Sequence, residues 1–530
     1  MWRETGDAFT MTPVVPVEHF DVLIIGAGLS GIGAAYHLQT RCPGKRYAIL
    51  EARGTIGGTW DLFRYPGVRS DSDMYTLGYR FRPWTEGKAI ADGPSILRYI
   101  RDTAARYDIE RHVRFGTRMT RATWSSSDAQ WTVEAESADT GTPTGTAVFT
   151  CNMLYTCTGY YDYACGYMPS YPGLDQFAGR VIHPQQWPEG YAYDDERIVV
   201  IGSGATAVTL VPAMAARAKH VTMLQRSPTY IVSRPSVDGI AQTLRRMLPE
   251  GVAYAAVRWK NILLSTFWYR VSRRYPHFMK RVLVSRARVE AGNDSSVPSA
   301  TDGGINADMN GGIARVGDSG SSAHFTPRYN PWDERVCLAP DGDFFRVLRD
   351  RSASIVTDEI VSFTRTGVQL ASGAHLEADT IISATGLQLR LLSGVELVVD
   401  GATVNLADTL AYKGMMLSDV PNLVSAFGYT NASWTLKTDL TADYACRLLQ
   451  YMDRHGFRQC TPRRTDPSVT ELPVLDFTSG YVRRALAHLP KQGSKIPWRV
   501  HQNYLRDLAM LRHGAIDDGV MEFLGNQRSL

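Results

Sequence analysis

The chain has 530 residues, 44% of them hydrophobic and 21% charged, with a formal net charge of +4. That length exceeds what one core sustains and implies two or three domains. No run approaches the ~18 uninterrupted apolar residues of a membrane-spanning helix, and so small a charge excludes nucleic acid as the expected partner. The seven cysteines, Cys42, Cys151, Cys157, Cys165, Cys337, Cys446 and Cys460, are odd in number and include no C-x-x-C pair. This argues for reduced thiols and against a structural zinc.

The first residues, MWRETGDAFTMTPVVPVEHF, lack a basic segment followed by an apolar core, so no secretory signal is expected and the chain is placed in the cytoplasm. Residues 20–25 (FDVLII) read as a strand, and residues 47–50 (YAIL) as a second one after a helical stretch. Between them Gly26, Gly28 and Gly31 form G-x-G-x-x-G, which permits a tight turn and close approach of a pyrophosphate to a helix N-terminus. Glu51, at the end of the second strand, suits a ribose diol and repels a 2'-phosphate. The site therefore fits the AMP half of FAD or NAD.

The pattern recurs. Residues 197–201 (RIVVI) and 220–224 (HVTML) bracket Gly202, Ser203, Gly204, Ala205, Thr206 and Ala207, a G-x-G-x-x-A turn. Here Gln225, Arg226 and Ser227 stand where an acid would be. A guanidinium makes charge-assisted bonds to phosphate, so Arg226 points to NADPH over NADH. Two apolar runs, residues 153–158 (MLYTCT) and 380–385 (TIISAT), end in Thr-Gly at Gly159 and at Thr385-Gly386. Each marks a passage between nucleotide domains.

Residues 251–289 carry nine Lys/Arg and no Asp/Glu, interleaved with Trp259, Phe267, Trp268, Tyr269 and Tyr275. They read as an amphipathic helical segment, either the solvated face of a lid or a peripheral contact with the acidic inner face of the cell membrane. Residues 292–322, rich in Gly, Ser, Asp and Asn, read as a mobile loop that could also act as a lid on the substrate entrance. Two nucleotide sites of opposite phosphate preference imply hydride transfer to a flavin. The absent thiol pair counts against a disulfide reductase.

Between the two Rossmann units, Phe177, Gly179, His183 and Trp187 fall in the spacing F-x-G-x-x-x-H-x-x-x-W-P. His183 alone would read as a hydrogen-bonded structural histidine. The full spacing resembles the fingerprint of type I Baeyer-Villiger monooxygenases, flavin-dependent class B enzymes. GGTWDLFRYPGVRSDSDMY (residues 57–75), IGSGATAVTLVPA, LQRSPTYI, YNPWDERVCL, ISATG and GYTNASWTLK extend the likeness over nearly the whole chain, most closely to the ethionamide-activating group. Against that group, the 292–322 loop looks like an insertion.

The resemblance implies FAD and NADPH as cofactors, with O2 and a small ketone or sulfur-containing molecule as substrates. It implies that Arg335 stabilises a C4a-peroxyflavin and its ketone adduct, that Asp71 orients Arg335 and the nicotinamide, and that Gly58, Thr59 and Trp60 contact flavin. It gives His183 and Trp187 a part in coupling NADP+ placement to domain movement. Trp434 and Lys437 are expected to return to the flavin. The expected fold is α/β: two Rossmann-type dinucleotide-binding domains, with FAD held by residues 1–165 and 386–530, and NADPH by 166–385 carrying a helical insertion at about 235–330. An N- or S-oxygenase without ketone activity, and an uncoupled NADPH-oxidising flavoprotein at a membrane surface, stay open as alternatives. No motif speaks to oligomeric state.

Overall fold

The computed structural model describes residues 17–137, 145–292, 321–475 and 477–525. The loop expected at 292–322 falls almost wholly outside them.

The apolar run at the start of the chain becomes the strand Glu18–Ile25, in which Val22, Leu23 and Ile24 are fully buried. Burying such a side chain contributes about 1.5–3 kcal/mol, which favours a central position for this strand. It pairs in parallel with Tyr47–Leu50 on one side and Thr146–Thr156 on the other. The nine-stranded sheet is extended by the antiparallel strands Thr117–Ser125 and Gln130–Ser137 and by Glu396–Val399, while Leu423–Ser425 pairs in parallel with Thr146–Thr156. Segments from both ends of the chain therefore build one sheet. The helix Leu29–Arg41 packs beneath it against Trp434–His455.

The middle of the chain forms a second, wholly parallel sheet in the order Ala353–Thr357, His220–Gln225, Arg197–Ile201, Thr380–Ser383, Arg180–Ile182. In both sheets the first strand of the repeat has its β-α-β partner on one side and the Thr-Gly strand on the other. The crevice at the carboxyl ends, where strand order reverses, is where such folds bind ligands.

The chain leaves the second unit at Ile231–Arg234 and returns at Cys337–Pro340, and these two strands pair in parallel. The excursion holds the helices Gly239–Met247, Glu250–Arg274 and Pro276–Glu290, the helical insertion expected from the sequence. The last two are separate because a proline at the first helical position cannot carry the preceding ladder through. Arg258, only 4% exposed, donates from Nη1 to the carbonyls of Tyr75 and Gly78, both at 2.8 Å. The insertion is thereby fastened to the first unit.

Candidate active site

The two glycine turns are built alike. Gly26 has φ +103°, and a Cβ there would lie 2.6 Å from the Cys157 carbonyl oxygen; Gly202 has φ +128°, and its Cβ would lie 2.4 Å from that of Ala384. In each turn the first glycine lets the backbone pass the end of the Thr-Gly strand. A Cβ on Gly31 would sit 1.9 Å from the Gly26 carbonyl oxygen, which no side chain tolerates. Gly28 and Gly204 are the N-caps of Leu29–Arg41 and Ala205–Ala215, without a side-chain cap or an acid in the first turn. Elsewhere, Asp92 and Asp238 cap the helices they precede. The open N–H groups and room for close approach are what a pyrophosphate requires.

Glu51 is 5% exposed and accepts from the Ala27 N–H at 2.7 Å and the Arg53 N–H at 2.8 Å. Burial pushes its carboxyl above the usual carboxylate range, opposed by those two bonds. A carboxylate offers about four acceptor positions, so capacity remains for a ribose diol. Gly57 and Gly58, at φ +143° and +55°, bring the next loop against the turn, and a Cβ on Gly58 would be 3.0 Å from the Gly28 Cα. Thr59 Oγ1 accepts from the Tyr161 hydroxyl at 2.7 Å, and Trp60 packs on the first unit's core. In the second turn Ser203 Oγ donates to the Ser227 carbonyl at 2.9 Å, tying turn to strand end, and Thr206 hydrogen-bonds Tyr65. Arg226 is exposed at that strand end, beside the turn.

Asp71 and Arg335, far apart in the sequence, form an ion pair of 3.0 Å between Oδ2 and Nε. Their side chains are 37% and 38% exposed, so the pair lines an accessible surface. Asp71 holds the guanidinium's proton more firmly than usual, against the effect of burial. Asp333, two residues before Arg335, is engaged by Arg273 at 2.5 Å. Arg335 lies two residues before the strand Cys337–Pro340, so the strand pairing that closes the insertion also fixes this arginine.

The His183 ring lies across Gly166, where a Cβ would come within 1.8 Å of it. Its Nδ1 accepts from the Gln185 N–H at 3.2 Å, which leaves Nε2–H to donate to the Gly386 carbonyl at 3.2 Å. Burial lowers its pKa and keeps it neutral near pH 7. The same carbonyl accepts from the Tyr167 N–H at 3.1 Å, and Thr385 Oγ1 donates to the Tyr167 carbonyl at 2.6 Å. Gln185 Nε2 adds a bond of 2.7 Å to the Asp162 carbonyl and Gln186 Nε2 one of 2.9 Å to that of Ala164. The fingerprint segment thus ties together the two strands by which the chain passes between units. Trp187 packs on the second unit's core, whereas Phe177 stands edge-on to Phe363 with Gly179 closing the turn beside it.

Family models match over residues 24–84, an NAD(P)-binding Rossmann-like domain, and 90–253, flavin-binding monooxygenase-like. The FAD-containing monooxygenase EthA of Mycobacterium tuberculosis is 52% identical over 507 residues, 96% of this chain and 98% of its own; EthA of Mycolicibacterium smegmatis is 50% identical over the same length. The chain belongs to the FAD-containing monooxygenases. Among solved structures, a steroid monooxygenase bound to NADP aligns at TM-score 0.69 with 21% identity. A cyclohexanone monooxygenase bound to ε-caprolactone aligns at 0.70 with 19%. Each covers 96% of this chain and 100% of its own, and they establish the fold.

The C-terminal part of the monooxygenase departs from expectation at one residue. Trp434 returns to the first glycine turn, its Nε1 donating to Ser30 Oγ at 2.8 Å while its ring stacks on Tyr160. Lys437 does not follow it. One helical turn on, it is buried in a 2.8 Å ion pair with Asp507, which also accepts from the Tyr429 hydroxyl at 2.7 Å. Burial lowers the Lys437 pKa, opposed by Asp507. Asp507→Ala would strand a buried ammonium and is expected to cost about 3–5 kcal/mol, read as a lower thermal midpoint of the holoenzyme. Sequence reading also missed Tyr160, Tyr161, Gly166, Gln185 and Gln186. The run of aromatics at 160–163 was the one local signal.

Proposed function

We propose that this monooxygenase holds FAD on residues 1–165 and 386–530 and NADPH on 166–385, and inserts one oxygen atom of O2 beside a ketone carbonyl to give an ester or lactone. A ketone, O2, NADPH and a proton become ester, NADP+ and water. Gly26, Gly28, Gly31, Glu51, Gly58, Thr59 and Trp60 would hold the FAD. Gly202, Ser203, Gly204, Ala205, Thr206, Arg226, Ser227, Thr385 and Gly386 would hold the NADPH. Bound flavin, once reduced, supplies the activation of oxygen.

The observation that carries this reading is the Asp71–Arg335 pair. Arg335 keeps a fixed positive charge in an accessible position, where it can stabilise negative charge developing on oxygen. Asp71 orients the guanidinium and keeps it protonated. His183, neutral and bonded at both ring nitrogens, serves as a hinge contact between the units and not as a proton donor. The test is coupling: anaerobic reduction by NADPH followed by admission of O2 and a ketone should give near-equal NADPH use and ester. Sulfoxide or N-oxide without ester would favour heteroatom oxygenation. Stoichiometric hydrogen peroxide without product would mark an uncoupled flavoprotein.

A second reading concerns the insertion. No described helix is long and apolar enough to cross a membrane. Leu263, Leu264, Phe267 and Trp268 nevertheless form an exposed stripe on Glu250–Arg274, continued by Phe278 and Val282 on the next helix. With the cations around it, this face suits peripheral contact with anionic lipid. Co-sedimentation with vesicles containing anionic lipid should be strong and should fall severalfold in Phe267→Ser/Trp268→Ser. Equal sedimentation with neutral vesicles would refute it.

A further inference from the structure

A cleft of about 720 Å³, within the roughly 300–1,000 Å³ range of small-molecule sites, opens between the helical insertion and the C-terminal part of the chain. One wall is Trp332, three residues before Arg335. Another is Thr430 and Asn431, just before the helix whose Trp434 reaches the first glycine turn. A third is the last turn of Glu250–Arg274, and the C-terminal stretch completes it. The described lining includes Arg270, Arg273, Arg499 and Arg506 but no Asp or Glu. Arg273 is engaged by Asp333, whereas among the described residues Arg270, Arg499 and Arg506 make no ion pair. His501, also in the lining, lies within electrostatic reach of Asp507, itself paired with Lys437, and of both Arg506 and Arg499.

Among the described residues the lining cations outnumber the carboxylates near them, Asp333 on Arg273 and Asp507 beside His501, and such an excess at the edge of a low-dielectric cleft focuses a positive potential into it. Beside them Tyr269, Trp332, Phe477 and Val500 supply an apolar wall. We propose that this cleft takes the carboxylate end of an amphiphilic oxo acid, its hydrocarbon portion lying along the apolar wall and its carbonyl reaching toward Arg335. The proposal rests on the ketone-oxygenating reading and adds a substrate class to it. Carboxylate is chosen because guanidiniums bind it in bidentate fashion. A phosphate head would use the same groups.

The test compares an aliphatic ketone with the oxo acid of matched chain length, using holoenzyme and the variants Arg499→Gln, Arg506→Gln and the double change. The oxo acid should be preferred in kcat/KM. Each lost guanidinium should lower kcat/KM for the acid by about 10- to 100-fold, the strength of a charge-assisted bond. The neutral ketone should lose far less, so that the preference disappears. Bound flavin and thermal midpoint check that the variants fold. Calorimetric binding of dodecanoate and of dodecyl phosphate gives a readout independent of oxygenation. If no ketone is oxygenated but dodecanoate binds in an Arg499- and Arg506-dependent way, the reaction assigned to the enzyme fails and the carboxylate site stands. Equal losses on both ketones, or no effect on dodecanoate binding, would overturn the site. Tighter binding of the phosphate would overturn the choice of head group.

Discussion

Replacing Arg335 by alanine is expected to lower ester formation by about 10²- to 10³-fold, the range for removing one preorganised donor to a developing oxyanion. NADPH-driven flavin reduction should persist at a rate within a few-fold of wild type, with consumed O2 appearing as hydrogen peroxide. The guanidinium is held at Nε by Asp71 and is partly exposed, and among the described residues no second ion pair engages it, so its outer N–H groups can face a reacting molecule. It is not part of either glycine turn. Arg335→Lys should recover little, because an ammonium keeps the charge but loses the planar fork that one carboxylate can orient. Asp71→Asn should give an intermediate loss. Parallel measurement of NADPH, O2, ester and peroxide decides the matter. A variant in which ester and NADPH consumption fall together would falsify the assignment of Arg335 to the oxygenation step and leave it a structural ion pair.

The parts of this molecule that the sequence revealed are those whose physics is local. A glycine fingerprint needs a strand, a turn and a helix within about 30 residues, and Gly26 and Gly202 occupy equivalent left-handed positions in the structure. The Thr-Gly strands were legible as buried apolar runs, and the amphipathic insertion by its composition. The Asp71–Arg335 pair was reached through resemblance, since nothing near either residue names the other. Lys437 shows the opposite case. Its neighbour Trp434 donates to Ser30 in the glycine turn, whereas Lys437, three residues on along much the same helix face, ends at Asp507. Motif membership placed both residues at one site, but about 4.5 Å of rise along the helix gives them different partners. The links made by Gln185, Gln186 and the His183 ring were invisible for a related reason. Their partners are backbone carbonyls, which carry no residue identity that a pattern could register.

The charge contrast between the two strand ends leads to the second large effect. Arg226→Ala is expected to raise the KM for NADPH by about 10- to 150-fold, the equivalent of roughly 1.5–3 kcal/mol for a hydrogen bond to a charged group. The KM for NADH should change little, because a 2'-hydroxyl presents no charge to a guanidinium. The exposed position of Arg226 favours a clean result, since its removal opens no cavity in the sheet beneath. Gln225, the preceding residue, is 1% exposed and donates to Thr357 and to the His324 carbonyl, so the strand end remains fixed when its neighbour changes. Arg226→Asp should go further. It would repel the 2'-phosphate and offer a ribose diol the acceptor that Glu51 offers in the first turn, lowering the KM for NADH relative to the alanine variant. Steady-state rates with both nucleotides at fixed ketone and O2 separate these outcomes. Equal increases in both KM values would show that Arg226 positions the nucleotide generally and does not read its phosphate.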